Sequence, residues 1–391
     1  MSTTLKLLRP FAAPCFAVTQ RTVYGSSQVS GTIYSVLVKK GAGAPEKIKT
    51  PGVQRGATLW RFSPILTSKW VKKNVLKKIL KNQVITMITP KPLFNGARVA
   101  LTCASSAVPT DRLEPAVAAV KALGLEPVIY PSCYFDSRHG YFAADDAQRA
   151  RDIQDAFADP TIDGVLSIRG GYGAHRILPL LDLDAIAKTP KYFSGYSDVT
   201  ALHTAFNQTC GFVTYHTIMP STEYYKEVDD YSMDYLRRAL FGKLTGPLEN
   251  PTDLPMTTLV GGKATGTLCG GNLSLLAASL GTPWEIDTRG KILFLEDIGE
   301  KTYRVDSMLT QLRNAGKFAD CAGVLLGAWT DCPPEYPERT LLLPEIFAEL
   351  VASAGKPTLM DVQCGHILPT MSLPLGEQVT MDADEKTITV V

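Results

Sequence analysis

The sequence predicts an α/β protein, with a parallel sheet and flanking helices in the first half, a β-rich second half, and a basic, poorly structured extension before both. Three observations support this prediction. Apolar strand-like runs alternate with helix-period segments from Ala97 to Phe206, short strands and glycines follow, and charge is divided unevenly along the chain. Such alternation is typical of parallel sheets, which bind ligands at the carboxyl ends of their strands.

The extension, residues 1–90, is strongly basic. Residues 1–88 contain 15 Lys and Arg and one acidic residue, Glu46, whereas residues 89–391 contain 25 basic and 37 acidic residues. Residues 70–81 set apolar side chains against lysines, which predicts a basic amphipathic helix for a membrane surface or nucleic acid. A solvated extension and a transit peptide are the alternatives. Because no base-reading or stacking motif accompanies the charge, we expect neither nucleic acid nor a membrane as partner.

Composition indicates a globular protein, with 45% hydrophobic and 20% charged residues. The eight cysteines are irregularly spaced and never form Cys-x-x-Cys, which argues against a structural zinc site and a disulfide framework. No metal or cofactor is expected. No apolar run approaches the ~18 residues of a membrane span. We therefore expect a reducing, cytoplasmic location.

The first half reads as strand and helix in turn. Apolar runs predict strands at 98–103, 128–130 and 164–168, and helical periodicity predicts helices at 111–123 and 145–157. Leu113, Val117 and Val120 share one face of the first helix, and Gly124 ends it. These elements assign residues 91–220 to the parallel-sheet domain.

A glycine-rich loop, Arg-Gly-Gly-Tyr-Gly at 169–173, follows the third strand. Glycines allow a tight turn and a close approach of backbone to substrate. The Lys-Ser/Thr of a nucleotide-binding loop is absent, which disfavours a phosphate site. We expect Gly170 and Gly171 to supply an oxyanion N–H group or to shape the pocket; a plain tight turn is the alternative.

Ser197 stands where an extended apolar segment, Tyr192 and Phe193, turns sharply into a helix-period run. A strand–turn–helix context exposes a serine hydroxyl at the top of a sheet, beside N–H groups that favour negative charge. Ser197 is therefore a candidate nucleophile, and the N–H of Asp198 a candidate oxyanion donor. The alternative is an ordinary helix cap, because Val199 replaces the second glycine of the hydrolase pattern.

Residues 221–255 are polar and contain prolines, which predicts an inter-domain linker before a second domain at 256–391. Strands are expected at 291–297, 323–327 and 356–362, a helix at 273–280, and a terminal hairpin of 377–381 with 387–391. Asn272 follows Gly270 and Gly271. It is placed either to offer its amide to substrate or to cap the helix at 273–280.

A serine nucleophile needs a base and an acid that orients the base. His366 lies in a loop after a strand, where an imidazole can reach a cleft, although a surface histidine fits equally well. Glu296 ends an apolar strand and is the best candidate acid. Asp297 and Glu300 are close rivals.

Five motifs together resemble the LD-carboxypeptidase family of serine peptidases, which includes the microcin-immunity peptidases. They occur in the family's order and span roughly residues 95–391. They are Arg-Gly-Gly-Tyr-Gly at 169–173, Gly-Tyr-Ser-Asp at 195–198, Gly-Gly-Asn at 270–272, Leu-Phe-Leu-Glu-Asp at 293–297 with Tyr-Arg-Val-Asp at 303–306, and Cys-Gly-His at 364–366 with Leu-Pro-Leu-Gly at 373–376.

The resemblance implies a Ser197–His366–Glu296 triad, with the oxyanion held by N–H groups of Asp198 and the Gly170–Gly171 turn. It also implies a Rossmann-like first domain, a β-rich second domain, and a homodimer without metal or cofactor. The implied substrate is a small cytoplasmic murein peptide, from which the enzyme releases the terminal D-alanine after an L-configured centre.

Two departures qualify the resemblance. The basic extension has no counterpart in the family pattern, and residues 364–369 are more apolar than the pattern after the base. Two alternative functions are the same triad acting on a peptidyl- or aminoacyl-nucleotide amide and a non-catalytic murein-peptide binder.

Overall fold

The computed structural model describes residues 87–134, 137–334, 336 and 338–391, together with four short strands nearer the amino terminus. The chain forms two units, Met1–Val84 and Ile85–Val391. In the first unit β1 (Phe16–Thr22) pairs with β2 (Thr32–Val38), and β3 (Lys47–Ile48) pairs with β4 (Leu59–Trp60), both antiparallel. The remaining residues up to 86, including the helix predicted at 70–81, lie outside the described residues.

A six-stranded sheet forms the first half of the second unit. Its strands are β5 (Arg98–Thr102), β6 (Glu126–Ile129), β7 (Gly164–Ser167), β8 (Tyr192–Gly195), β9 (Thr214–His216) and β16 (Leu373–Leu375). The spatial order is β16-β9-β8-β7-β5-β6. Strands β5 to β9 are mutually parallel, and β16 is antiparallel to β9. The predicted parallel sheet is confirmed, with the 2-1-3-4-5 order of flavodoxin-like doubly wound folds.

Helices cover both faces of this sheet because its strands are apolar on both sides. They are α1 (Leu113–Ala122), α2 (Asp146–Ala158), α3 (Ala174–Ile177), α4 (Leu183–Ile186) and α5 (Thr200–Ala205). Val99 packs in one core cluster with Val120 of α1, whereas Ala100 packs in another with Ile153 of α2. Asp145 begins α2 by accepting the Gln148 N–H at 2.7 Å, as an N-cap does.

An eight-stranded mixed sheet dominates the second half, which confirms its β-rich character. Its strands are β10 (Gly246–Leu248), β11 (Thr257–Val260), β12 (Lys263–Asn272), β13 (Ile292–Ile298), β14 (Gly323–Thr330), β15 (Thr358–Met360), β17 (Gln378–Asp382) and β18 (Thr387–Val390). The order is β10-β18-β17-β12-β13-β14-β15-β11. The amino-terminal part of β12 pairs antiparallel with β17, and its carboxyl-terminal part pairs parallel with β13.

Helices pack on one face of the second sheet. They are α7 (Leu273–Ser279), α8 (Thr302–Asn314), α9 (Lys317–Asp320) and α10 (Leu343–Leu350). Leu293 and Leu295 of β13 pack with these helices, while Phe294 faces the core cluster shared with the first sheet. Alternate residues of β13 therefore face different halves of the molecule.

The stretch predicted as a linker is folded. Residues 221–255 include α6 (Asp230–Leu240) and β10, and Tyr235, Leu236 and Leu240 are buried. The helix was missed because its apolar face is short and the surrounding sequence is polar. The chain also crosses between sheets, since β16 belongs to the first sheet although β15 and β17 belong to the second.

Candidate active site

Ser197 lies at a sharp turn after β8. Its φ is +65°, in the left-handed region that few non-glycine residues adopt. It begins a 3₁₀ turn, Ser197–Val199, and the N-cap of the following α5 is Val199 rather than the serine. The partly exposed serine therefore has the backbone of a nucleophile elbow and does not cap α5.

The glycine-rich loop after β7 lies against this turn. A Cβ added to Gly170 would be 2.9 Å from Ser197 Cβ and 3.1 Å from its Oγ, so a side chain there would displace the serine. The Ser106 N–H donates to the Gly170 carbonyl at 3.3 Å, and the Tyr172 N–H donates to Ser106 Oγ at 3.0 Å. The loops after β5 and β7 thus position Gly170 beside the candidate nucleophile, while Gly171 lies against Ser106.

The Asp198 side chain joins the same loops. One carboxylate oxygen accepts the Ser105 hydroxyl at 2.6 Å and the Ala174 N–H at 2.7 Å. Burial raises the pKa of Asp198 to about 6, against the opposing effect of these hydrogen bonds. The side chain of Asp198 therefore holds the neighbouring loops in place, and any oxyanion contact from this residue must come from its backbone N–H.

His366 and Glu296 form a buried pair. His366 Nδ1 lies 2.6 Å from Glu296 Oε2, with the two side chains 12% and 0% exposed. Burial lowers the pKa of His366, but the charge and hydrogen bond of Glu296, with the charges of Glu223 and Asp297, raise it overall. A carboxylate on Nδ1 fixes the imidazole orientation and leaves Nε2 to handle a proton.

The rival carboxylates are engaged elsewhere. Asp297 accepts the Asn272 amide at 2.9 Å and both the N–H and the hydroxyl of Ser274, at 3.0 and 2.6 Å. Glu300 lies 3.6 Å from Arg304. Glu296 continues the Phe294 face of β13 towards the first sheet, whereas Asp297 points to the start of α7. The strand alternation therefore decides which acid meets the histidine.

Asn272 does two things at once. Its side chain accepts the Leu275 N–H at 3.4 Å as the N-cap of α7, and its amide donates to Asp297. Its backbone N–H donates to Thr200 Oγ1 at 3.0 Å, which ties β12 to α5. The capping alternative for this residue is thus observed.

Tyr196, the residue before the serine, packs against His366, the candidate base. Its ring centroid lies 4.6 Å from that of His366 and 5.4 Å from that of His216. Its hydroxyl donates to Glu223 Oε1 at 2.8 Å. The sequence pointed to neither tyrosine nor glutamate as a site residue. Tyr196 lies within the serine motif, but Glu223 lies in the stretch read as a linker, where no local signal marks it.

Two buried histidines, His203 of α5 and His216 of β9, are unsuited to act as base. His203 contacts Thr214 Oγ1 and the Gly195 carbonyl, both at 2.8 Å, and burial lowers its pKa to about 4. Burial, with the charges of His203 and His366, lowers the pKa of His216 well below its ordinary value. Both are therefore neutral near pH 7, and neither faces solvent.

Within the described part of the chain, no three His, Cys, Asp or Glu side chains are grouped to hold a metal ion. Nor is any of its helices long and apolar enough to cross a membrane. The seven described cysteines are buried and unpaired, and Cys15 lies outside the described residues.

A left-handed serine turn after a parallel strand and a buried histidine–carboxylate pair, which packs against the tyrosine before the serine, are typical of a serine-type hydrolase. Two family models match this chain: the LD-carboxypeptidase N-terminal domain over residues 99–217 and the LD-carboxypeptidase C-terminal domain over residues 265–381. The chain belongs to the LD-carboxypeptidase family of serine peptidases.

Individual relatives agree with this assignment. The chain is 40% identical over 304 residues to a probable murein peptide carboxypeptidase of Bacillus subtilis, covering 77% of this chain and 93% of the relative. The structure of a muramoyltetrapeptide carboxypeptidase from Oxalobacter formigenes matches with a TM-score of 0.65 and 28% identity, over 75% of this chain and 97% of that one. MccF in complex with glutamyl sulfamoyl guanosine shares the fold, with a TM-score of 0.70 and 24% identity over 77% and 98%.

Proposed function

We propose that this protein is a serine carboxypeptidase that cleaves the L,D-peptide bond of murein peptides and releases the terminal D-alanine. The observation that carries the proposal is the 2.6 Å contact of His366 with Glu296. The ring of the same histidine packs against Tyr196, the residue before Ser197. The names of the relatives from Bacillus subtilis and Oxalobacter formigenes supply the substrate class.

In this mechanism His366 takes the proton of the Ser197 hydroxyl, and Oγ attacks the scissile carbonyl carbon. The N–H groups of Asp198 and the Gly170–Gly171 turn hold the oxyanion. His366 then gives its proton to the amine of the departing D-alanine, which leaves an acyl-enzyme. Water attacks the acyl carbon by the same route and restores the serine. Glu296 orients the imidazole and stabilises its positive form.

The test is Ser197→Ala, assayed for D-alanine release from peptides ending in L-Lys-D-Ala or diaminopimelate-D-Ala. We expect turnover to fall by roughly 10⁴-fold or more with the fold retained. Ser353→Ala, in the partly exposed turn after α10, is the matched control and should leave the rate unchanged. Parent-like turnover by Ser197→Ala would overturn the assignment of the nucleophile.

The second candidate is hydrolysis of a peptidyl- or aminoacyl-nucleotide amide by the same triad. The shared fold with MccF, whose structure holds glutamyl sulfamoyl guanosine, favours this candidate. Comparing kcat/KM for a murein tetrapeptide and for an aminoacyl-nucleotide amide separates the two. A silent peptide binder is distinguished by a serine-directed fluorophosphonate, which should label the parent and not Ser197→Ala.

The cytoplasmic location, the homodimer and the boundaries at residues 90, 220 and 255 remain part of this proposal. The buried, unpaired cysteines suit a reducing compartment. Light scattering after size exclusion tests the dimer, and limited proteolysis tests the boundary near residue 90.

A further inference from the structure

Glu223 is a buried carboxylate that the mechanism above does not use. It is 8% exposed and lies in the turn that follows Met219. The Tyr196 hydroxyl donates to Oε1 at 2.8 Å, and the Met219 N–H donates to Oε2 at 2.8 Å. Burying a carboxylate is costly unless both oxygens are satisfied, so this arrangement calls for an explanation.

The turn that carries Glu223 is fixed to the first sheet. Ser221 donates to the Ile168 carbonyl through its N–H at 3.0 Å and its hydroxyl at 2.9 Å, directly before the loop that contacts Ser197. The Glu223 N–H donates back to the Met219 carbonyl at 3.1 Å. Glu223 is thus held in place independently of the second sheet, and its position is set by β7.

Tyr196 transmits this position to the base. Its ring packs near the imidazoles of both His366 and His216, at 4.6 and 5.4 Å between centroids. The Tyr196 hydroxyl cannot leave Glu223 without stranding a buried carboxylate oxygen, so the bond to Glu223 holds the ring against His366.

We propose that Glu223 is a positioning residue for His366, which acts through the Tyr196 ring and adds a second negative charge near the imidazole. This inference rests on the proposed function, in which His366 is the base. An imidazolium formed while Ser197 attacks is then stabilised by two carboxylates, Glu296 of β13 in direct contact and Glu223 of the turn after β9 from the far side of the Tyr196 hydroxyl.

The charged and titratable groups around His366 and Glu223 determine the midpoint that a pH titration of His366 measures. His366 is influenced by Glu296, Asp297 and Glu223, and it packs on Tyr196. His216 interacts with His366 and stays neutral because burial lowers its pKa well below its ordinary value. Burial raises the pKa of Glu223, against the opposing effect of the hydrogen bonds from Met219 and Tyr196 and the charges of His366 and Lys226. Glu223 also interacts with the buried Tyr224. Glu296 and Glu223 are therefore the two carboxylates to vary.

The test is the titration of His366, followed by NMR of ¹³C-labelled histidine in the full-length Ser197→Ala protein, with His366→Ala used to assign its signal. Adding Glu223→Gln should move the His366 midpoint to lower pH, because a negative charge is lost. Tyr196→Phe keeps every charged group and removes only the hydroxyl; it should shift the midpoint the same way by less. An unmoved midpoint in Glu223→Gln overturns the proposal.

Asp152→Asn is the matched control. Asp152 is also buried and accepts one backbone N–H, from Ser132 at 2.6 Å, and one side-chain donor, Gln148 at 2.6 Å, but it does not contact His366. Asp152→Asn should lower stability and leave the midpoint in place. A midpoint that moves as far in Asp152→Asn as in Glu223→Gln would show a merely structural role and overturn the proposal.

Steady-state kinetics of variants that retain Ser197 give the second readout. Glu223→Gln should lower kcat roughly tenfold, the lower end of the range for one hydrogen bond to a charged group, with KM almost unchanged. The double variant Tyr196→Phe/Glu223→Gln should lose little more than Glu223→Gln, because the two residues act in series. A fall confined to KM contradicts the proposal. If the parent releases no D-alanine, the proposed function fails, and the NMR titration still decides the role of Glu223.

Discussion

Gly365 is the position where a single methyl group should separate the base from its acid. Its φ is +124°, and a Cβ added there would lie 2.8 Å from Glu296 Oε2 and 2.9 Å from Glu296 Cβ. An ordinary contact begins at 3.4 Å, so the carboxylate oxygen must move by about 0.6 Å. Movement directly away from His366 would lengthen the 2.6 Å hydrogen bond to about 3.2 Å, the outer limit for a strong contact.

Gly365→Ala should therefore impair both activity and stability. Weakening a charge-assisted hydrogen bond worth about 1.5–3 kcal/mol predicts a fall in kcat of roughly 10- to 150-fold. A non-glycine residue in this backbone region costs a further ~1–3 kcal/mol of folding free energy. The acid limb of the kcat/KM profile should also move to lower pH, since Glu296 would raise the pKa of His366 less.

The assay is D-alanine release across pH, with urea unfolding measured in parallel. Gly262→Ala is the matched control. Gly262 directly precedes β12, its φ is +112°, and its added Cβ would meet only Pro357. That variant should lose stability and keep kcat. Wild-type kcat and an unshifted pH profile in folded Gly365→Ala would refute the view that this glycine makes room for the acid.

Two further substitutions test the site and its scaffold. Glu296→Gln should lower kcat by roughly 10³- to 10⁴-fold and shift the acid limb of kcat/KM to lower pH, because burial then dominates the pKa of His366; steady-state kinetics across pH measure both. Arg149→Met should lower the free energy of unfolding by about 3–5 kcal/mol in urea titrations. The buried Arg149 guanidinium bonds the carbonyls of Ala104 and Gly173 and the Asp146 carboxylate, while the exposed Arg151→Met should change little.

The first sheet was predictable because its signals are local. Apolar runs and helical periodicity describe neighbouring residues, so β5, α1 and α2 lie within a few residues of their predicted bounds. The serine turn was equally predictable, since strand, turn and helix follow one another directly in the sequence. What the sequence left open there was the backbone conformation of Ser197, and its positive φ separates the elbow from the helix cap.

Contacts between distant segments were harder to foresee. Glu296, Asp297 and Glu300 looked alike as acids, because the choice depends on which face of β13 meets the first sheet. Glu223 lies in a polar stretch whose role appears only when the turn after β9 folds against Tyr196. Because they too depend on contacts between distant segments, α6 and the crossing of β16 into the first sheet were not predicted.

The proposed active site is divided between two sheets, so the contact between the sheets is part of the proposed catalyst. The serine turn is held by hydrogen bonds within the first sheet, from Ser105 and Ala174 to Asp198, whereas the histidine–glutamate pair belongs to the second. Alignment therefore depends on where the halves touch. At one such point the Asn272 N–H bonds Thr200 Oγ1, and a Cβ at Gly271 would lie only 2.6 Å from that oxygen. Glycine at 271 permits the approach that brings β12 to α5, and with it the base towards the serine.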